Sequence, residues 1–202
     1  MPTIQDTLDE IIILQDEMTK YEATQNDTLF NGLLNFTAII YFEFSAHVIL
    51  DNLPKSNSYE TTEISHKYFG LLSDSDLLSE YIKYINIGHL FIIWHEYEKY
   101  IRGKCLNDFR LEEFNIGKLF GKFIAASELD NSEKIKEEFT IIRYTRNSLH
   151  DGGVYNSDFD SFTGILENTT YTFEPGKTVV PLRIMDIIKT IWSHYKVFEK
   201  LS

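Results

Sequence analysis

The stretch NSEKIKEEFTIIRYTRNSLHDGG, Asn131 to Gly153, decides the fold. Asn131-Ser132 is an N-cap signal and Gly152-Gly153 a stop, so the residues between them read as one helix. At about 3.6 residues per turn, Ile142 and Leu149 share the face to be buried. Arg143, Asn147 and His150 fall at i, i+4 and i+7 on a separate face, and Arg146 stands one turn before His150. That polar face has two readings. In the plain one, cations answer the negative end of the helix dipole and the histidine bonds the terminal carbonyls. In the other, a guanidinium fork binds phosphate beside an imidazole, the minimum kit for cutting RNA without a metal.

Working outward, the chain is mostly helical. Ile4, Leu8, Ile11, Ile12, Gln15 and Met18 predict a helix from Ile4 to about Tyr21. Leu29 to Leu50 is the most apolar run, but Asn31, Asn35, Glu43 and His47 make it a buried core helix rather than a membrane span. Asp51 to Thr62 reads as a loop and Glu63 to Leu72 as a short helix. Asp74-Ser75-Asp76 caps a long helix reaching about Lys104, and Leu111 to Ala126 reads as another. Downstream, Phe162 to Val180 alternates like a hairpin, with Pro175-Gly176 as its turn signal, and a last helix runs from Pro181 to about Leu201.

Length and composition fit this picture. The 202 residues suit one domain, 1–202, and 43% hydrophobic content is enough for a packed core. The fold class is therefore mostly α: a single-domain helical bundle of five to seven helices with a small C-terminal β-hairpin. Cys105 is the only cysteine, so it has no intrachain partner and reads as a buried thiol. With no leader-like segment at the start, a cytoplasmic, reducing setting is expected. The net charge of −12 disfavours unaided nucleic-acid binding. Its distribution softens the objection. Residues 1–81 hold 14 acids against three lysines, whereas the remainder holds 17 acids against 16 bases.

Other clusters are less telling. Glu43, His47, His89, His95 and Glu96 lack the usual helical metal-ligand spacing and read as polar core pairs, so no metal or other cofactor is expected. Phosphate-loop and nucleophile-elbow motifs are absent. The aromatics fall mostly at core spacing and read as packing rather than base-stacking platforms. Glu98 and Arg102, at i and i+4, read as a surface ion pair.

The Arg, Asn and His of 143–150, followed by Gly152-Gly153-Val154-Tyr155 and a β-like stretch, resemble the HEPN superfamily. These are helical proteins with an Arg, a polar residue and a His at the head of a shared groove. Arg143 leaves six residues before His150; Arg146-Asn147 looks more like the family's Arg-Asn pair but leaves three. Both arginines stay candidates. Tyr97-Glu98-Lys99-Tyr100-Ile101-Arg102 is similar to an upstream family helix, and the likeness covers roughly the C-terminal half. The resemblance implies a homodimer and a metal-independent endoribonuclease, a toxin or phage-defence effector. Arg143 or Arg146 would hold phosphate, Asn147 would orient it, His150 would move protons, and Glu98 and Arg102 would brace the motif helix. Expected partners are RNA and an antitoxin or defence protein, with no membrane. The alternative is a catalytically silent HEPN-like dimeric scaffold that binds a nucleotide, RNA or a partner protein.

Overall fold

The computed structural model describes residues 4–21, 27–52, 74–156, 160–180 and 182–201. Among these, six helices and one hairpin follow in the order α1 (Ile4–Thr19), α2 (Thr28–Asn52), α3 (Asp74–Phe109), α4 (Ile116–Ser127), α5 (Ser132–His150), β1 (Phe162–Leu166), β2 (Thr169–Phe173) and α6 (Ile184–Phe198). The mostly helical class with a small C-terminal hairpin is as expected. The short helix expected at Glu63–Leu72, most of the Asp51–Thr62 loop, and Pro181 lie outside the described residues. Asp51 and Asn52 still belong to α2. Among the described residues no helix is long and apolar enough to cross a membrane.

The bundle is built around α6. Ile184, Ile187, Ile188, Ile191, Trp192, Tyr195 and Phe198 are all buried, and the helix touches α1, α2, α3 and α5. Burying one such side chain contributes about 1.5–3 kcal/mol, so this helix supplies much of the core. Asp27 fixes how α2 enters: its carboxylate accepts from the Leu29 and Phe30 amides at 3.0 Å each and from the Tyr195 hydroxyl at 2.8 Å. In α1 the inward residues are Leu8, Ile11, Leu14 and Met18. Ile12 is half exposed and Gln15 instead donates to Thr37 Oγ1 at 3.2 Å, so the core stripe is shifted from the one expected.

Two further boundaries differ, each for a local reason. Helix α3 runs on to Phe109 because Cys105 is buried and Phe109 packs edge-on to Phe123, at 5.2 Å. Arg110 then takes a positive φ of 53°, which ends the helix. Helix α4 starts at Ile116, not Leu111. Asn115 is the residue that caps it, its side chain accepting from the Lys118 amide at 3.1 Å. The hairpin turn also moves. Glu167 and Asn168, with φ of 44° and 65°, make the two-residue turn with both central φ values positive. Pro175-Gly176 makes a later turn that returns the chain to the end of α5: Tyr155 N–H donates to Lys177 O and Val179 N–H to Gly153 O, both at 2.9 Å.

Helix α5 lies between these parts. Phe139 stacks on Phe120 of α4 at 3.8 Å and sits 5.4 Å from Trp94 of α3. On its other flank Tyr144 packs against Tyr155, Phe162 and Phe173 at 5.2–5.7 Å, and Glu137 Oε1 accepts from the Ile165 amide of β1 at 2.6 Å. Helices on one side and the hairpin on the other thus hold the rotation of α5, and with it the direction of the polar face.

Candidate functional site

The end of α5 is closed by Gly152 and Gly153, whose φ values of 72° and 86° favour glycine. Gly153 N–H donates to Ser148 O at 2.7 Å. The helix therefore stops where expected, with His150 exposed in its last turn.

Arg146 and His150 come together on one aromatic ring, and Asn147 joins Arg146. Arg146 Nη1 donates to Asn147 Oδ1 at 3.1 Å, and its Cζ lies 5.7 Å from the centre of the Phe91 ring of α3. The His150 ring lies 4.5 Å from the same ring, tilted by 59°. Phe91 is the residue that sequence reading missed. It sits in the apolar run Leu90–Trp94 with nothing local to separate a platform from a core residue.

Arg143 goes elsewhere. Its guanidinium lies 4.9 Å from the Tyr144 ring centre and against Gly117 in the first turn of α4. A side-chain carbon at 117 would stand 1.8 Å from Arg143 Nη1, so only glycine leaves this space. Among the described residues no hydrogen bond or ion pair joins Arg143 to Asn147 or His150. The shared face is there in the helix, but the side chain leans to a different neighbour.

The electrostatics of both arginines are unusual for so acidic a chain. Arg102 and Arg183 each pair with carboxylates. Among the described residues neither Arg143 nor Arg146 forms an ion pair, and the Nε of each is buried with no hydrogen-bond partner. The start of a helix carries about half a positive charge, so Arg143 adds a cation where the α4 dipole already favours an anion. A different face of α5 is acidic: Glu133, Glu137, Glu138 and Glu167 line a groove of about 530 Å³ together with Lys134, Ile165 and Asn168. Anion binding is what the arginine face can do; the acidic groove opposes it.

Glu98 and Arg102 form more than a surface pair. Arg102 donates to Glu98 Oε1 through Nε and Nη2 at 3.0 and 2.8 Å, and to the carbonyls of Glu113 and Phe114 at 2.9 Å each. Glu98 Oε2 accepts from Trp94 Nε1 at 3.0 Å. The pair thus clamps the α3–α4 loop directly, and reaches α5 through the Trp94–Phe139 contact.

Sequence reading also missed a buried relay. Tyr97 Oη lies 2.6 Å from His194 Nδ1, and His194 Nε2 lies 2.9 Å from Glu138 Oε2. The imidazole Nε2–H donates to the carboxylate and Nδ1 shares the second hydrogen bond with the Tyr97 hydroxyl, so each group is satisfied. Burial pushes the Glu138 carboxyl up, but the His194 hydrogen bond and the His194 and Lys134 charges outweigh it and hold Glu138 below its ordinary range. Burial raises the Tyr97 hydroxyl well above its own. At 0%, 1% and 6% exposure the three groups are buried, so the relay joins α3, α6 and α5 structurally. A charged Glu138 at the buried spacing of Ile135 and Ile142 was the signal for it.

Of the metal-ligand candidates, the His47 side chain lies outside the described residues. His89 Nε2 lies 3.7 Å from Glu43, and His95 is exposed. Among the described residues no group of three or more such side chains is placed to hold a metal ion. Cys105 is buried, which pushes its thiol up to about 11, partly offset by the Arg102 charge. A thiol so held is a poor nucleophile. Comparison with known proteins finds no match to this chain among family models, curated proteins or solved structures.

Proposed function

We propose that the chain is a HEPN-like, metal-independent endoribonuclease of the toxin or phage-defence kind. The observation that carries this reading is the Arg146 guanidinium, without a carboxylate partner among the described residues, sharing the Phe91 ring with the exposed His150 imidazole in a chain of net charge −12. Arg146 is the phosphate-binding arginine, since it shares the Phe91 ring with His150 and is oriented by Asn147. His150 takes the proton of a ribose 2′-hydroxyl. The 2′-oxygen attacks phosphorus, the bond to the 5′-oxygen breaks, and the leaving oxygen takes a proton from the second imidazole of a homodimer. The products are a 2′,3′-cyclic phosphate and a 5′-hydroxyl. Arg146 stabilises the charge that develops on the phosphoryl oxygens.

The dimer is supported by exposed Ile39 and Phe42 on α2 and Ile92 on α3, at 47%, 73% and 52% exposure. Helix α2 lies along α3, with Phe36 edge-on to His89 at 5.9 Å, so the two helices carry these exposed side chains together. Separation of Arg143 from His150 favours a second reading, a catalytically silent scaffold that binds a nucleotide, RNA or an antitoxin-like partner protein. Incubation of purified protein with RNA in EDTA separates the two. Cleavage ending in cyclic phosphate and abolished by His150→Ala supports the nuclease. RNA binding with no cleavage at any pH leaves the scaffold.

A further inference from the structure

Phe114 is 97% exposed, the most of any large apolar side chain described. Its backbone is nonetheless tied on both sides. Arg102 holds the carbonyls of Glu113 and Phe114, and the Glu113 carboxylate accepts from Lys122 Nζ at 3.1 Å and from the Asn115 amide at 3.4 Å. Asn115 then caps α4, and two residues on, Gly117 receives the Arg143 guanidinium. An exposed aromatic side chain on a tied backbone thus stands three residues, at most about 10 Å of chain, from the glycine that receives Arg143, an arginine with no carboxylate partner among the described residues.

We propose that this corner is a nucleotide subsite, in which the Phe114 ring stacks on an unpaired base and Arg143 holds a neighbouring phosphate. The ligand it selects is single-stranded RNA. The inference rests on the reading that the α5 arginine face receives RNA, and adds which form of RNA and where it lies. Charge complementarity favours a nucleic acid over an apolar protein surface. Residues 110–122 carry Arg110, Lys118 and Lys122 against Glu112 and Glu113, and Lys122 neutralises Glu113. The exposed residues flanking it in sequence, Glu112, Asn115 and Lys118, are polar. From Arg143 to His150 the helix rises about 10 Å, room for two or three nucleotides between the stacked base and the phosphate at His150. A duplex cannot use the platform because its base faces are already stacked.

The test is fluorescence anisotropy with a short labelled oligouridylate and a duplex RNA, in the His150→Ala background so that nothing is cut. Phe114→Leu should weaken single-strand binding about five- to 150-fold, the range for losing one base–aromatic stack, and leave duplex binding unchanged. Phe114→Trp should restore it. Arg143→Ala should lower the slope of log affinity against log salt by about 0.7, the share of one phosphate on a single strand, whereas Phe114→Leu should not change that slope. Equal single-strand binding by wild-type and Phe114→Leu surfaces overturns the subsite alone. Failure of the parent protein to bind any RNA overturns the RNA reading with it. Conversion of a dimer to a monomer by Phe114→Leu would make the ring a subunit contact, and likewise overturns the proposal.

Discussion

Arg143 and Arg146 stand three residues apart on α5 and reach different neighbours, Gly117 of α4 and Phe91 of α3. Helical spacing made the Arg, Asn and His face legible, because i, i+4 and i+7 depend only on local sequence. Which arginine keeps company with His150 depends on two other helices, and no local pattern carries that. In cleavage assays Arg146→Ala should therefore cost more than Arg143→Ala, by one or more orders of magnitude in rate. Gly117→Ala offers a cleaner probe of Arg143. Its methyl would displace the guanidinium, while alanine in a helix gains up to about 1 kcal/mol over glycine. Denaturant melts should show unchanged or slightly higher stability, with RNA affinity reduced as in Arg143→Ala. Asp186 gives a pH test. It is 2% exposed, and burial raises its carboxyl above the ordinary 3.8, against the Arg183 and Lys189 charges that lower it. A raised carboxyl binds its proton more tightly when folded, so stability falls as pH rises through 3.8 toward the raised value. Asp186→Asn should therefore be at least as stable as the parent protein at neutral pH. That advantage should disappear as the melts are repeated below pH 4.

Among elements, α3, α5 and α6 meet at the Tyr97–His194–Glu138 relay. His194→Phe would take one hydrogen bond each from the Tyr97 hydroxyl and the Glu138 carboxylate in the core, at roughly 1–3 kcal/mol apiece, so a loss of about 2–6 kcal/mol is expected in denaturant unfolding. Glu138 has the opposite sign from Asp186. Its folded value is lowered, so its contribution is complete above the ordinary 4.5 and is lost as pH falls through the lowered value. Parent protein should thus lose stability below about pH 4.5 more steeply than Glu138→Gln. Most elements were legible because apolar periodicity and stop signals agree, as in α5, which starts at Ser132 without a side-chain cap from Asn131 and ends at Gly152-Gly153. The exceptions have tertiary causes. Arg102 takes the carbonyls of the 111–115 region out of helical use, so α4 waits for Asn115. Pro175-Gly176 was a true turn signal assigned to the wrong turn, because Glu167-Asn168 lacks the glycine that usually marks a two-residue hairpin.

For the whole molecule, the net charge of −12 sets two salt effects of opposite sign. Two copies repel one another, and salt screens that repulsion. Light scattering should therefore show the proposed dimer tightening as salt rises, while RNA affinity falls. Phe42→Glu should favour the monomer in both conditions. The return of the chain after β2 has a further consequence. Helix ends ordinarily fray, yet the Asp151 and Gly153 amides donate back into the last turn of α5, and Val179 N–H in turn holds the Gly153 carbonyl. Deuterium should therefore enter the amides from Asn147 to Gly153 slowly, at rates set by opening of a larger cooperative unit rather than by local fraying. The stretch of backbone that carries His150 would then hold one position over the lifetime of that unit, which gives a surface residue an anchor with the persistence of an interior one.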